Sequence, residues 1–213
     1  MFLLSTAYFA PIRYYSLLIQ DEPVMLERHE HYNKQSYRNR CTIYTANGLL
    51  DLVVPVARNK KPKIQITEVE IAYDTLWQKQ HFKAIESAYR RSPFYEYYID
   101  DLMIFFTCRH HYLYDFNMQI MYKICSLIKI SPHIQESSEF VKSGEGITDL
   151  RNNIHPKITC TADLPSYTQV FTDKFGYQSN MSILDLLFNA GPDAKKYLSL
   201  VNSKKKSNFT VFK

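Results

Sequence analysis

The sequence predicts an α+β fold, with a mixed sheet from an N-terminal βαβ unit and a β-hairpin, covered by a helical C-terminal half. Three observations carry this. Phe2–Tyr8 and Val24–Leu26 are apolar runs flanking a helix-like stretch that begins at Pro11. Asn47-Gly48 separates two strand-like runs. From Thr75 onward, apolar residues recur at helical spacing. An α/β fold is the runner-up, because both classes use the βαβ unit.

Taken in order, Phe2–Tyr8 reads as a buried strand, and Pro11 sits at a plausible first helical position before Ile12–Gln20. Asp21-Glu22-Pro23 stops that helix, and Val24, Met25 and Leu26 begin a strand parallel to the first. Cys41–Ala46 and Leu49–Val54 form the hairpin, since Asn-Gly tolerates positive φ at both central positions. Pro55 ends its second arm. Arg58–Lys63 is a basic loop. The alternation of Ile64 and Ile66 slips phase before Val69, Ile71 and Tyr73, which predicts a bulge or break near Glu68.

Thr75-x-x-Gln78 has the capping-box pattern for a helix reaching about Arg91. Further helices are expected over about Phe94–Thr107 and Tyr112–Lys129. Residues 131–165, rich in Ser, Gly, Asn and Pro, read as an irregular segment, either a lid or a surface loop. Ser182-x-x-Asp185 is a second capping box, Gly191-Pro192 ends its helix, and a last helix covers about Asp193–Val201. Residues 1–203 are thus expected to form a single domain, with 204–213 as a basic tail.

Composition narrows the function. Hydrophobic residues make up 46% and charged residues 22%, which fits a globular chain rather than a disordered one. The formal charge is +5, and four of the positive charges are Lys204, Lys205, Lys206 and Lys213. The body is near neutral, so no nucleic-acid partner is expected. Cys41, Cys108, Cys125 and Cys160 show no metal or disulfide spacing. No apolar run is long enough to span a bilayer, and Met1–Leu4 lacks the basic start of a signal peptide. A cytoplasmic location is expected. The chain has no G-x-G-x-x-G, Walker, G-x-S-x-G or H-E-x-x-H motif, and no cofactor can be named.

The densest polar stretch, Glu27–Arg40, follows the second strand. Lys34, Arg38 and Arg40 alternate with Tyr32, Tyr37 and Asn39. Guanidinium groups offer planar paired donors for phosphate or carboxylate, and tyrosine can stack on a ring. A loop at the end of a parallel strand lies where open α/β sheets bind ligands. An ordinary ion-paired surface loop fits the same pattern. Glu27, His29 and His31 would share one face of an extended strand and could hold a metal ion, as could any exposed alternating face produce them. His81 shares a helical face with Trp77, Ile85 and Ala88. It reads as a buried, hydrogen-bonded imidazole or as a proton-transfer group. Asp185 reads as a capping residue or as a buried carboxylate orienting Arg38 or Arg40.

Several segments in order resemble the WbqC-like protein family. They are Ser5–Tyr15, with Tyr8-Phe9-Ala10-Pro11 before the helix; Tyr32-Asn33-Lys34-Gln35-Ser36-Tyr37-Arg38-Asn39-Arg40; Val53-Val54-Pro55-Val56; Trp77–His81 with Tyr89-Arg90-Arg91-Ser92-Pro93-Phe94; and Tyr167-Thr168-Gln169 with Met181–Asn189. The resemblance implies a bacterial protein of O-antigen or other surface-polysaccharide synthesis. It further implies a transferase that moves an aminoacyl or acyl group to an amino sugar. Many relatives carry Gln near Thr6 and an acidic pair near Arg28 and His29, where this chain has base and imidazole. On this reading Tyr8, Tyr32, Lys34, Tyr37, Arg38, Asn39 and Arg40 bind a small-molecule donor, such as a sugar nucleotide or an activated acyl group. His81 transfers protons, and Asp185 orients a basic residue. The rival is a non-catalytic adaptor of a polysaccharide-assembly complex. A metal-dependent hydrolase using Glu27, His29 and His31 is a third reading.

Overall fold

The computed structural model describes residues 1–58 and 63–203. The predicted basic tail, 204–213, and most of the predicted basic loop lie outside the described residues. The fold is α+β. Strand β1 (Phe2–Leu4) leads into helix α1 (Ile12–Leu18), and β2 (Val24–Leu26) returns parallel to β1 with Leu4 opposite Leu26. Both strands are shorter than a typical strand, because Ser5 onward turns out of the sheet.

The hairpin strands β3 (Arg40–Thr45) and β4 (Gly48–Val53) form their own two-stranded antiparallel sheet. Their turn is centred on Ala46-Asn47, one residue earlier than Asn47-Gly48. Thr45 pairs with Gly48, and Gly48 alone of the turn residues carries a positive φ (96°). The break near Glu68 is a 3-10 turn, Ile66–Glu68, flanked by isolated bridges such as Val56 to Ile71.

Two further strands arise within the segment read as irregular. β5 (Ile134–Glu136) pairs parallel with β2, and β6 (Thr148–Asp149) pairs parallel with β1. The sheet order is β5-β2-β1-β6, all parallel.

The helices cover the sheet and hairpin. α2 spans Trp77–Tyr89, α3 Tyr95–Leu102, α4 Ile104–Thr107 and α5 Leu113–Leu127. The Thr75 capping box does not form. Gln78 instead donates to the Phe105 and Cys108 carbonyls, tying α2 to the end of α4. On α5, Leu113, Phe116, Ile120 and Ile124 are wholly buried, as their helical spacing requires. A short helix α6 (Thr172–Phe175) precedes α7 (Ile183–Ala190) and α8 (Ala194–Ser203). Ser182 caps α7 through the Leu184 N–H, while Asp185 turns elsewhere.

Candidate functional site at the carboxyl edge of the parallel sheet

Parallel strands all leave the sheet at one edge, so the residues that follow them meet there. The ladder runs one step past each strand. Glu27 N–H donates to Leu4 O, Ser137 N–H to Leu26 O and Leu150 N–H to Leu3 O. Ser5, Glu27, Ser137 and Arg151 are thereby brought to the same edge, and all four are buried.

Two carboxylate–guanidinium pairs form at this edge. Glu30 receives Arg38 in a two-pronged contact, Nε to Oε1 at 2.8 Å and Nη2 to Oε2 at 2.5 Å. Ser5 Oγ bridges the pair, accepting from Arg38 Nη2 at 2.6 Å and donating to Glu30 Oε2 at 3.1 Å. Glu27 accepts from Arg151 Nη1, the Ser137 hydroxyl and the His29 and Val141 N–H groups, which satisfies a carboxylate with no solvent exposure. Arg151 also grips Asp149 with two prongs at 3.0 and 2.6 Å. Those hydrogen bonds hold the Asp149 carboxyl down at about 2.

Both arginines border a small cavity with Ser5, Thr6, Tyr14 and Tyr37, closed on one side by Leu150 and Ile154. Its volume is about 10 Å³, room for roughly one water molecule. Thr6 Oγ1 is buried at this cavity and has no protein partner among the described residues. Beside the pairs lies a second group of cations. His155 is held below the ordinary imidazole range by burial and then by the positive charges of Arg38, Lys157 and Arg40. Its Nδ1 accepts from the Lys157 N–H. Among the described residues Arg40 makes one long ion-pair contact, to Asp51 at 3.4 Å, and its Nε has no protein partner. Tyr32 feels both Arg40 and Arg38, although burial dominates and raises its hydroxyl to about 12.

The structure thus gathers Tyr32, Tyr37, Arg38 and Arg40 at the first strand's exit. Lys34 is exposed in the preceding turn. Asn39 is buried and donates to Val54 O, which anchors the loop to the hairpin. Glu27, His29 and His31 do not share a strand face, because β2 ends at Leu26 and Glu27 turns inward to Arg151. Among the described residues no cluster of three or more metal-ligating side chains occurs. Ser5, Glu30, Ser137, Asp149, Arg151 and His155 were not singled out by sequence reasoning. For Ser137, Asp149 and Arg151 the missing signal was the outer strands β5 and β6.

Tyr8 and His81 lie apart from the cavity. Tyr8 is fully buried against Phe116, with its hydroxyl 2.9 Å from His81 Nδ1, and His81 packs edge-on to Trp77. Tyr8 reaches the site through its backbone N–H, which donates to Tyr37 O. Asp185 meets neither Arg38 nor Arg40. It accepts from the Tyr167 hydroxyl and from Gln169 Nε2, and burial raises its pKa.

Burial lowers the His81 pKa from 6.5 to about 4. A depressed imidazole stabilises the fold fully above pH 6.5 and loses that contribution as the pH falls toward 4, a loss of about 3 kcal/mol. Urea unfolding across this window should show the slope in the native chain and a flatter profile for His81→Gln. Equal slopes would place the imidazole in contact with water.

The fold and site define an α+β protein with a parallel sheet whose carboxyl edge is lined by buried ion pairs. The profile of the WbqC-like protein family matches residues 6–159. The chain belongs to that family. The match takes in every member of the edge network after Ser5. The uncharacterised protein Rv1507c of Mycobacterium tuberculosis is 26% identical over an alignment 212 residues long, which takes in 87% of this chain and 91% of that protein. No solved structure matches the chain. Among the described residues no helix is long and apolar enough to cross a membrane.

Proposed function

We propose that this chain is a transferase of surface-polysaccharide synthesis that moves an acyl or aminoacyl group to an amino sugar at the carboxyl edge of the parallel sheet. The family name supports the pathway class. One observation supports the place: Arg40, whose buried Nε has no protein partner among the described residues, lies with His155 and Lys157 beside the buried Arg38–Glu30 pair. Acyl transfer passes through a state with negative charge on the former carbonyl oxygen, and fixed cations stabilise that charge. The reacting amine attacks the acyl carbon, the bond to the leaving group breaks, and the proton lost by the amine passes to the departing phosphate or thiolate. Arg40, Lys157 and His155 Nε2–H serve the donor's anion, while Tyr32 and Tyr37 flank the substrate. Arg38, already paired with Glu30, positions the Ser5 hydroxyl, and Arg151 holds Glu27 and Asp149 in place. Tyr8 and His81 act as a rigid prop behind Tyr37. Asp185 braces the Tyr167–Gln169 turn.

The cavity as it stands is too small for a donor, so Leu150 and Ile154 must move to admit one. A thermal-shift series with acyl phosphates, acyl-coenzyme A, free amino acids and amino-sugar nucleotides tests the reading. At least one activated acyl donor should raise the melting temperature by mass action. Arg40→Ala/Lys157→Ala should abolish that rise. Silence across all four classes would sink the transferase and favour the adaptor.

A further inference from the structure

A larger depression lies outside the carboxyl edge. It runs between the end of α2 and the Thr168–Asp173 segment, encloses about 1210 Å³ and is lined by Lys83, Arg90, Arg91, Gln169, Phe171 and Asn189. Ligand sites for small molecules typically span about 300–1,000 Å³, so a nucleotide-sized ligand fits with room to spare.

The charges differ in kind from those of the edge. Arg28, Arg38, Arg40 and Arg151 all have carboxylate partners within 4 Å. Among the described residues, Lys83, Arg90 and Arg91 have no ion pair. Glu86, one helical turn before Arg90, also borders the groove, as does Asp173, and neither reaches a groove cation. The cations therefore keep donors available to an incoming anion.

Both walls are fixed, which lowers the cost of ordering a ligand. On one side, Ser92 Oγ donates to Tyr89 O and Phe94 N–H donates to Phe188 O, holding the Arg90–Arg91 turn on α7. On the other side, the Tyr44 hydroxyl contacts the Phe171 and Gly176 carbonyls at 3.0 and 2.8 Å, and Lys174 Nζ donates to Ala46 O. The floor is Gln169, only 3% exposed, whose amide is tied to Asp185 and to the Gln178 backbone. Asn189 donates to Asp185 O, and its side-chain oxygen has no protein donor among the described residues. Phe171, Val170 and Pro93 add apolar wall. The sequence segments Tyr89–Phe94, Tyr167–Gln169 and Met181–Asn189, distant in the chain, converge here.

We propose that this groove binds a nucleoside-diphosphate-class ligand, with Arg90 and Arg91 clamping the diphosphate and the Phe171 wall receiving the base. The assignment stands independently of the transferase reading. Isothermal titration of the full chain with uridine diphosphate, inorganic pyrophosphate and uridine tests it. Uridine diphosphate should bind, pyrophosphate should compete with it, and affinity should fall as NaCl is raised. Arg90→Ala/Arg91→Ala removes two exposed side chains, so its melting temperature should match that of the native chain, while its affinity for uridine diphosphate should drop at least tenfold. Arg40→Ala should leave that affinity unchanged. No binding of uridine diphosphate or pyrophosphate at millimolar concentration overturns the proposal. So does binding that survives in the Arg90/Arg91 double variant, and binding lost only in Arg40→Ala would relocate the nucleotide to the sheet edge.

Discussion

Arg38→Ala should destabilise the fold by about 3–5 kcal/mol, because it strands Glu30 as a buried charge with only the Ser5 hydroxyl for company. Both side chains of the pair are nearly excluded from solvent, at 4% and 7% exposure. Replacing both partners with apolar residues of similar size, Glu30→Leu with Arg38→Met, should recover most of the loss, since no uncompensated charge remains. Arg40→Ala is the internal contrast. Its partner Asp51 is well exposed, so the change should stay within about 1 kcal/mol. Urea unfolding of the four proteins at neutral pH gives the comparison. A loss below about 1 kcal/mol for Arg38→Ala would mean that water reaches the pair.

Gly191→Ala should be at least as damaging. Gly191 has φ 52° and ψ −121°, a region that side chains avoid. A Cβ there would fall 2.5–2.6 Å from three ring carbons of Phe94. Strain and overpacking together should cost about 3 kcal/mol or more. Phe94→Ala in the same chain should remove the collision but not the backbone strain, so the double variant should lose less than the two single changes added together. Strict additivity, read from urea midpoints, would show that the ring and the glycine do not touch.

How far the sequence spoke can be seen element by element. The start of β2 at Val24 was legible, because Pro23 precedes an apolar run; its end at Leu26 was not, since the alternation of Glu27, His29 and His31 reads as a continued strand. The α5 face was legible from its spacing. β5 and β6 were not, because three residues (Ile134-Gln135-Glu136) and two (Thr148-Asp149) offer no periodicity, and most are exposed at the sheet's edges. That miss propagated to the site. Arg38 and Arg40 stood out as a basic-aromatic loop after a strand. Arg151, Ser137 and Asp149 acquire meaning only once the outer strands are placed. The Thr75 box failed for a different reason: a tertiary use for the Gln78 amide outcompeted the local cap. Asp185 shows the same competition, its carboxylate taken by Tyr167 and Gln169.

The order of the strands also governs how the molecule assembles. β1 pairs early with β2, but its other neighbour is Asp149, far down the chain. Closing so long a loop is slow, and it delays the arrival of the guanidinium that neutralises Glu27. A nascent chain halted before residue 148 would hold three strands, with the β1 flank raw and an acid lacking its counter-ion. Such a species should stay loose and invite chaperones until the final strand locks in beside β1.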